Sequence, residues 1–348
     1  MKIMISISHP AWVHQFHNIL KQMIARGDEV LVVAIQKDGD LLLLEHYQIP
    51  YKLIGKTTGR GKIQKGLLFI LQCIKHSFYA LRFRPDVLIG RCSPMLAVAA
   101  AIVRKKHIIY EDTEAVKFSL NVCKRFSYKI ITSTSFELEL GRKQKRVDTY
   151  KELFYLHPNY FSPSKEIVRK NGINPDEPYI VLRFVAWNAI HDIGHQGISQ
   201  ELMEQMVEEL SAYGKVYISS EKALVPKLLP YQLKSQFQDI HHILAFAHLY
   251  IGEGASMASE SAVLGTHAIY VNSISCGSTN ELHNRYGLMD CYNSSEGNRY
   301  QEALKRALEL LQDPNLKAKE KEKARKMLVE KIDINEFYIK QVDDAVKG

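Results

Sequence analysis

The sequence predicts an α/β protein of two Rossmann-like domains, each a parallel sheet covered on both faces by helices, facing a central cleft. Three observations lead there. Short apolar runs rich in β-branched residues alternate with segments of helical period along most of the chain. The alternation weakens over 152–179, where Pro158, Pro163, Pro175 and Pro178 gather as they would between domains. A chain of 348 residues is also long enough for two full cores.

The elements can be read in order. A strand over 2–6 leads to a helix over 13–25, whose apolar face is Phe16, Ile19, Leu20 and Met23 and which Gly27 ends. A strand over 29–35, a helix over 41–46, a strand over 51–54 and a long amphipathic helix over 63–81 follow. Beyond Pro85 come strands over 87–89, 107–110 and 129–132, with helices over 95–103 and 114–123 between them. The second part has strands over 179–184, 215–219, 249–252 and 268–271, and helices over 201–212, 240–246, 256–264 and 300–311. The expected divisions are 1–155, 156–330 and a tail helix over 331–348 that packs back on the first domain. Parallel strands joined by crossover helices require right-handed connections, and ligands in such sheets bind beyond the carboxyl ends of the strands.

Composition narrows the class. Hydrophobic residues make up 46% and charged residues 24%, as in a folded domain. No run of 18 apolar residues occurs and the first residues read as a strand, so a cytoplasmic protein is expected. Five dispersed cysteines without CxxC spacing argue against a disulfide framework and structural zinc. Residues 1–155 hold 25 Lys or Arg against 13 Asp or Glu, whereas 156–348 hold 21 against 25. The basic excess lies in 56–106 and in Arg142, Lys143, Lys145 and Arg146. Without a recognition motif it does not support specific nucleic-acid readout. It suits either a solvated face or peripheral contact with the anionic inner face of a membrane.

Candidate chemistry sits where strands end. The first junction, Ser8-His9-Pro10, lacks GxGxxG, which argues against a dinucleotide enzyme. It offers His9 as a general base toward a substrate hydroxyl, with His14 and His17 on the following helix. Their spacing lacks the HExxH arrangement, so no metal is expected. Arg91 follows the strand over 87–89, and Glu111 and Asp112 follow the strand over 107–110. These acids can bind sugar hydroxyls or orient a histidine, and Asp112 can equally cap the next helix. In the second part Arg183, Trp187, His191 and Asp192 follow its first strand: a guanidinium for a diphosphate, an indole to stack, and a His–Asp pair. Glu221 ends another strand. Gly252-Glu253-Gly254-Ala255-Ser256 leads from a strand into a helix carrying Glu260, the arrangement that holds diphosphate at a helix N-terminus and ribose at a carboxylate.

Across nearly its full length the chain resembles the bacterial and archaeal DUF354 family, which has the two-domain GT-B architecture. The segments that carry this are Ser8-His9-Pro10, Gly27-Asp28-Glu29-Val30, Arg84-Pro85-Asp86-Val87, Tyr155-Leu156-His157-Pro158, Leu182-Arg183 with Trp187-Asn188-Ala189, and Gly252-Glu253-Gly254 through Thr266. More distantly, the last segment is similar to the nucleotide site of non-hydrolysing UDP-N-acetylglucosamine 2-epimerases and related glycosyltransferases. Their helix glutamate, which contacts the nucleotide, corresponds to Glu260, although their Asp-Ser-Gly-Gly loop is replaced here by Gly252-Glu253-Gly254-Ala255. The resemblance implies a glycosyltransferase-like enzyme using a nucleotide sugar, a UDP-sugar, in surface polysaccharide synthesis, with a glycan or lipid-linked acceptor and no tightly bound cofactor. The domain over 1–155 would face the acceptor and that over 156–330 would hold the donor. A nucleotide-sugar 2-epimerase and a non-catalytic nucleotide-sugar or polysaccharide-binding protein are the alternatives. In the leading reading, His9 and Asp112 are catalytic, His14, Arg91, Glu111, Trp187, His191 and Asp192 contact substrate, and Arg183, Glu221, Gly252, Gly254, Ser256 and Glu260 hold the nucleotide.

Overall fold

The computed structural model describes residues 1–37, 39–56, 61–185, 198–293 and 298–347, and the side chains of all of these except 61–63. The chain forms two compact units, Met1–Tyr160 with Lys331–Gly348, and Phe161–Glu330.

The first unit alternates β1 (Lys2–Ile7), α1 (Pro10–Ala25), β2 (Glu29–Gln36), α2 (Asp40–His46), β3 (Tyr51–Lys56), α3 (Gly61–Phe83), β4 (Val87–Gly90), α4 (Pro94–Val103), β5 (Lys106–Glu111), α5 (Lys117–Phe126), β6 (Lys129–Ser133) and β7 (Gln144–Val147), then the short α6 (Leu153–Leu156). Its seven strands lie in the order β3-β2-β1-β4-β5-β6-β7, and every pairing is parallel. The second unit contains α7 (Lys165–Lys170), β8 (Tyr179–Phe184), α8 (Gln200–Leu210), β9 (Lys215–Ser220), α9 (Ile240–Phe246), β10 (Leu249–Gly252), α10 (Ala255–Val263), β11 (His267–Val271), α11 (Gly277–Asn284), β12 (Met289–Tyr292), α12 (Arg299–Leu311) and α13 (Leu316–Glu330). Its parallel sheet runs β12-β11-β10-β8-β9. A last helix, α14 (Ile334–Lys347), belongs to the first unit.

Both sheets are central, so their inner strands are apolar through and through: β4 and β10 are buried at every position. The strand order of the first sheet reverses between β1 and β4, which puts the crossovers that lead to β3 on one face and those that follow it on the other. On one face α3, α4 and α5 lie side by side, α3 and α4 against Met4 and Leu88 and α5 against Ile109 and Ile130. On the other, Phe16 of α1, Phe154 of α6 and Tyr338 of α14 form a buried aromatic cluster with ring centroids 5.8–5.9 Å apart. Tyr338 donates its hydroxyl to Ile108 O at 2.8 Å and accepts from Gly90 N at 3.3 Å, tying α14 to β4 and β5. The stretch 152–179, expected as a loose connection, instead contains α6 and α7, and Leu153 and Phe154 are fully buried.

In the second unit β11 opens with a buried histidine between two carboxylates. His267 Nε2 lies 3.1 Å from Asp290 Oδ2 and its Nδ1 lies 3.1 Å from Glu320 Oε2, which ties β11 to β12 and α13. Burial opposes protonation of this imidazole, but hydrogen bonds and charge from Asp290 and Glu320 outweigh it and raise the pKa. A raised folded value means that the stabilisation is complete below the unfolded pKa and is lost as pH rises through the folded one. The melting midpoint of this unit is therefore expected to fall as pH rises above about 6.5 in the parent and to vary less in His267→Gln, as calorimetry at a series of pH values would test.

Candidate functional site

Each unit brings candidate residues to the carboxyl edge of its sheet. In the first unit, His9 caps α1: its Nδ1 accepts from Ala11 N at 3.1 Å, and Pro10 begins the helix. That bond uses the Nδ1 lone pair, so the neutral ring carries its proton on Nε2, and this edge donates. Base catalysis by His9, as read from the sequence, would require it to give up its cap. His14 and His17 lie on the buried side of α1. His17 stacks on Tyr47 with centroids 4.0 Å apart, and His14 Nδ1 sits 3.1 Å from Tyr47 Oη with its ring against Tyr155. His14 is thus an interior residue.

A buried ionic network gathers at the carboxyl ends of β4 and β5. Arg91, in the turn after β4, meets Glu111 at the end of β5 and Asp112 and Thr113 just beyond it, and also donates to Gln15 Oε1 of α1 at 3.0 Å. Asp112 bridges Arg91 (2.5 Å) and Lys151 (2.8 Å), and Lys151 reaches Glu152 at 3.5 Å. Burial raises the Asp112 pKa, yet Arg91 and Lys151 together hold it well below the usual carboxylate range, so this group is an anion and not an acid at neutral pH. Glu111 is buried, and its oxygens accept from Arg91 and from the backbone N–H groups of Cys92, Asp112 and Thr113. It shapes the turns rather than presenting itself to solvent. Asp112 does not cap α5, whose N-cap is Val116 with no side-chain hydrogen bond. Arg91 Nε is buried without a hydrogen-bond partner among the described residues, and the Arg91 side chain lines a cavity of about 390 Å³ with Trp12, Phe69, Met95, Phe118 and Thr113. A guanidinium edge set among aromatic rings suits a ligand with both hydroxyl and apolar parts.

In the second unit, Arg183 near the end of β8 donates to Ser219 Oγ at 2.9 Å and to Glu221 Oε1 at 2.5 Å. At the next strand the two glycines differ. A Cβ on Gly252 would collide with Tyr250 Oη and stand 2.7 Å from Arg183 Cβ, so packing alone requires glycine there. At Gly254 the nearest atom to a Cβ would be Val185 Cγ1 at 3.8 Å, an ordinary contact. Gly254 is the N-cap of α10 and supplies no side-chain bond to the helix, which carries no acidic residue in its first turn. Ser256 is exposed in that turn. Glu260, one turn further on, is buried with Oε1 3.2 Å from His241 Nε2 of α9.

Glu253 went unnominated by sequence reasoning. It is buried, and its carboxylate accepts from Val185 N (2.8 Å), Ile198 N (3.2 Å) and Tyr300 Oη (2.5 Å). It therefore fixes both residues that flank 186–197, while Asn272 Nδ2 donates to its carbonyl at 2.8 Å. A carboxylate between two glycines at a strand end was the available signal. Trp187, His191 and Asp192 lie outside the described residues. A cavity of about 180 Å³ adjoins Glu253, Val185, Ser220 and Lys222. Among the described residues no group of three His, Cys, Asp or Glu side chains is placed to hold a metal ion.

Two parallel α/β units of this kind define a GT-B-like protein. The chain is similar in fold to UDP-GlcNAc 2-epimerase from Neisseria meningitidis bound to UDP-GlcNAc, with a TM-score of 0.66, 11% identity and coverage of 92% of this chain and 94% of that one. It is likewise similar to the spinosyn forosaminyltransferase SpnP, with a TM-score of 0.67, 11% identity and both chains covered completely. The family model described as a protein of unknown function, DUF354, matches residues 1–346, and the chain belongs to that family. The uncharacterized protein MJ0665 of Methanocaldococcus jannaschii is 24% identical over 282 residues, which covers 76% of this chain and 80% of that protein.

Proposed function

We propose that this protein is a glycosyltransferase-like enzyme that takes a nucleotide-activated sugar, a UDP-sugar, and passes the sugar to a glycan or lipid-linked acceptor in surface polysaccharide synthesis. The observation that carries the reading is the N-terminus of α10, which follows β10 at the carboxyl edge of the sheet, lacks a side-chain cap, and begins at a glycine with room in front of it. A diphosphate there meets backbone N–H groups and the positive end of the helix. Arg183 supplies a further cation, shared with Glu221, and Ser256 a hydroxyl. Glu260, oriented by His241, accepts from ribose hydroxyls. In the first unit, His9 at the start of α1 and the Arg91 side chain that lines the cavity receive the acceptor, and Asp112 holds Arg91 in place. A 2-epimerase, the second reading, is favoured by the fold likeness to the Neisseria enzyme. It would use the same donor site without an acceptor and release an epimeric sugar nucleotide.

Calorimetric titration with UDP, GDP, CMP, dTDP and their common sugar conjugates tests the proposal. One conjugate is expected to bind, and Gly254→Val is expected to weaken it by about tenfold or more at an unchanged unfolding midpoint, because a side chain then fills the phosphate approach. Equal binding by Gly254→Val, or no binding of any conjugate to folded protein, would sink the donor-site assignment.

A further inference from the structure

The helix α3 buries a mixed face, with Tyr79, Ala80 and Phe83 on the apolar core, and turns most of its large aliphatic side chains to solvent. Gln72, His76 and Ser77 are buried, with His76 Nε2 2.8 Å from Ser6 Oγ of β1 and His76 Nδ1 donating to Gln72 O at 2.7 Å. Leu67, Ile70, Leu71, Ile74, Phe78 and Leu81 face outward, each between 44% and 64% exposed. Positions 67, 71, 74, 78 and 81 follow one another along a single stripe. Phe118 of α5, itself 64% exposed, packs its ring 5.8 Å from that of Phe69, on the other side of α3 from the stripe. A contiguous apolar surface of this length marks an interaction site, whereas scattered exposed apolar residues would not.

Charge identifies the partner. The 23 residues of α3 include no Asp or Glu, and Lys65, Arg82 and nearby Arg84 are exposed. On α5, Lys117, Lys124 and Arg125 are exposed as well. A second copy docked helix to helix would set cation against cation and lacks the flanking carboxylates that pair such seams. An anionic lipid surface offers hydrocarbon for the stripe and phosphate for the cations. We propose that α3 lies in the interface of an anionic bilayer, its apolar stripe among the acyl chains and its Lys and Arg at the headgroups. The helix lies on the bilayer, since among the described residues no helix is long and apolar enough to cross one. Within 142–146, Lys143 Nζ donates to the carbonyls of Lys124 and Arg125 at 2.9 Å, ending α5, and Arg146 binds Phe136 O, Leu138 O and Glu139, while Arg142 and Lys145 are exposed.

The test is sedimentation of the full chain with vesicles of phosphatidylcholine alone or containing about one-third phosphatidylglycerol. The parent is expected to bind the anionic vesicles, less so as salt rises, and to leave the neutral ones. The combined variant Ile70→Ser, Ile74→Ser, Phe78→Ser is expected to lose about tenfold or more of that partitioning at an unchanged unfolding midpoint, since its changes lie on solvent-facing positions. Equal partitioning by parent and variant would overturn the proposal, as would a parent that ignores both vesicles. A parent dimer that becomes monomeric in the variant, without vesicle binding, would instead make α3 a subunit interface. None of these readings depends on nucleotide-sugar binding, so the donor-site proposal stands or falls separately.

Discussion

Glu253→Ala is expected to destabilise the 161–330 unit by about 3 kcal/mol or more, because three donors lose a buried acceptor at once. The Tyr300 hydroxyl and the N–H groups of Val185 and Ile198 all converge on this carboxylate. Glu253→Gln keeps one acceptor oxygen and is expected to lose roughly half as much. Urea unfolding of the full chain, with amide exchange read on β8 and β10, measures both. A change within about 0.5 kcal/mol, as for an ordinary surface substitution, would show that Glu253 is not the clamp described here.

Asp112→Ala should be comparably damaging to the first unit, by about 3–5 kcal/mol, since Arg91 and Lys151 would keep their charges in the interior with a shared partner gone. The pH dependence gives an independent check. Because the folded pKa of Asp112 lies below its unfolded value, its stabilisation is present above about pH 4 and disappears as pH falls through the folded pKa. Asp112→Asn removes that acid limb. Its unfolding free energy should therefore fall less steeply below about pH 4 than the parent's, and parallel curves would refute the linkage.

Strand–helix alternation was legible because both sheets are buried on both faces, so their strands are plainly apolar. What escaped was polar. Gln144–Val147 (QKRV) has one apolar residue and pairs only along the edge of its sheet, and Met289–Tyr292 (MDCY) is the edge strand of the other. Gly277–Asn284 (GSTNELHN) carries almost no apolar period, so its helix was invisible to a search for one. The helix α1 begins at Pro10, three residues before the apolar spacing does, because His9 and Pro10 set its start. In the site, Arg183 and Gly254 were readable from their positions at strand ends. Glu253 and Lys151 were not, for their importance comes from partners 47 and 39 positions away in sequence. Local spacing finds the edge of a sheet but not the long-range contacts that make a residue there indispensable.

The return of α14 to the first unit has a consequence for how the chain is made. Domains usually close in the order in which the ribosome delivers them, at about 5–20 residues per second. Here residues 161–330 form an uninterrupted unit, whereas the unit that begins at Met1 waits for Tyr338 to reach Gly90 and Ile108. The first sheet therefore spends on the order of ten seconds of synthesis with the α14 side of β4 and β5 uncovered. The part of the protein that emerges first is the last to be finished, and during that interval it is the natural client of a chaperone.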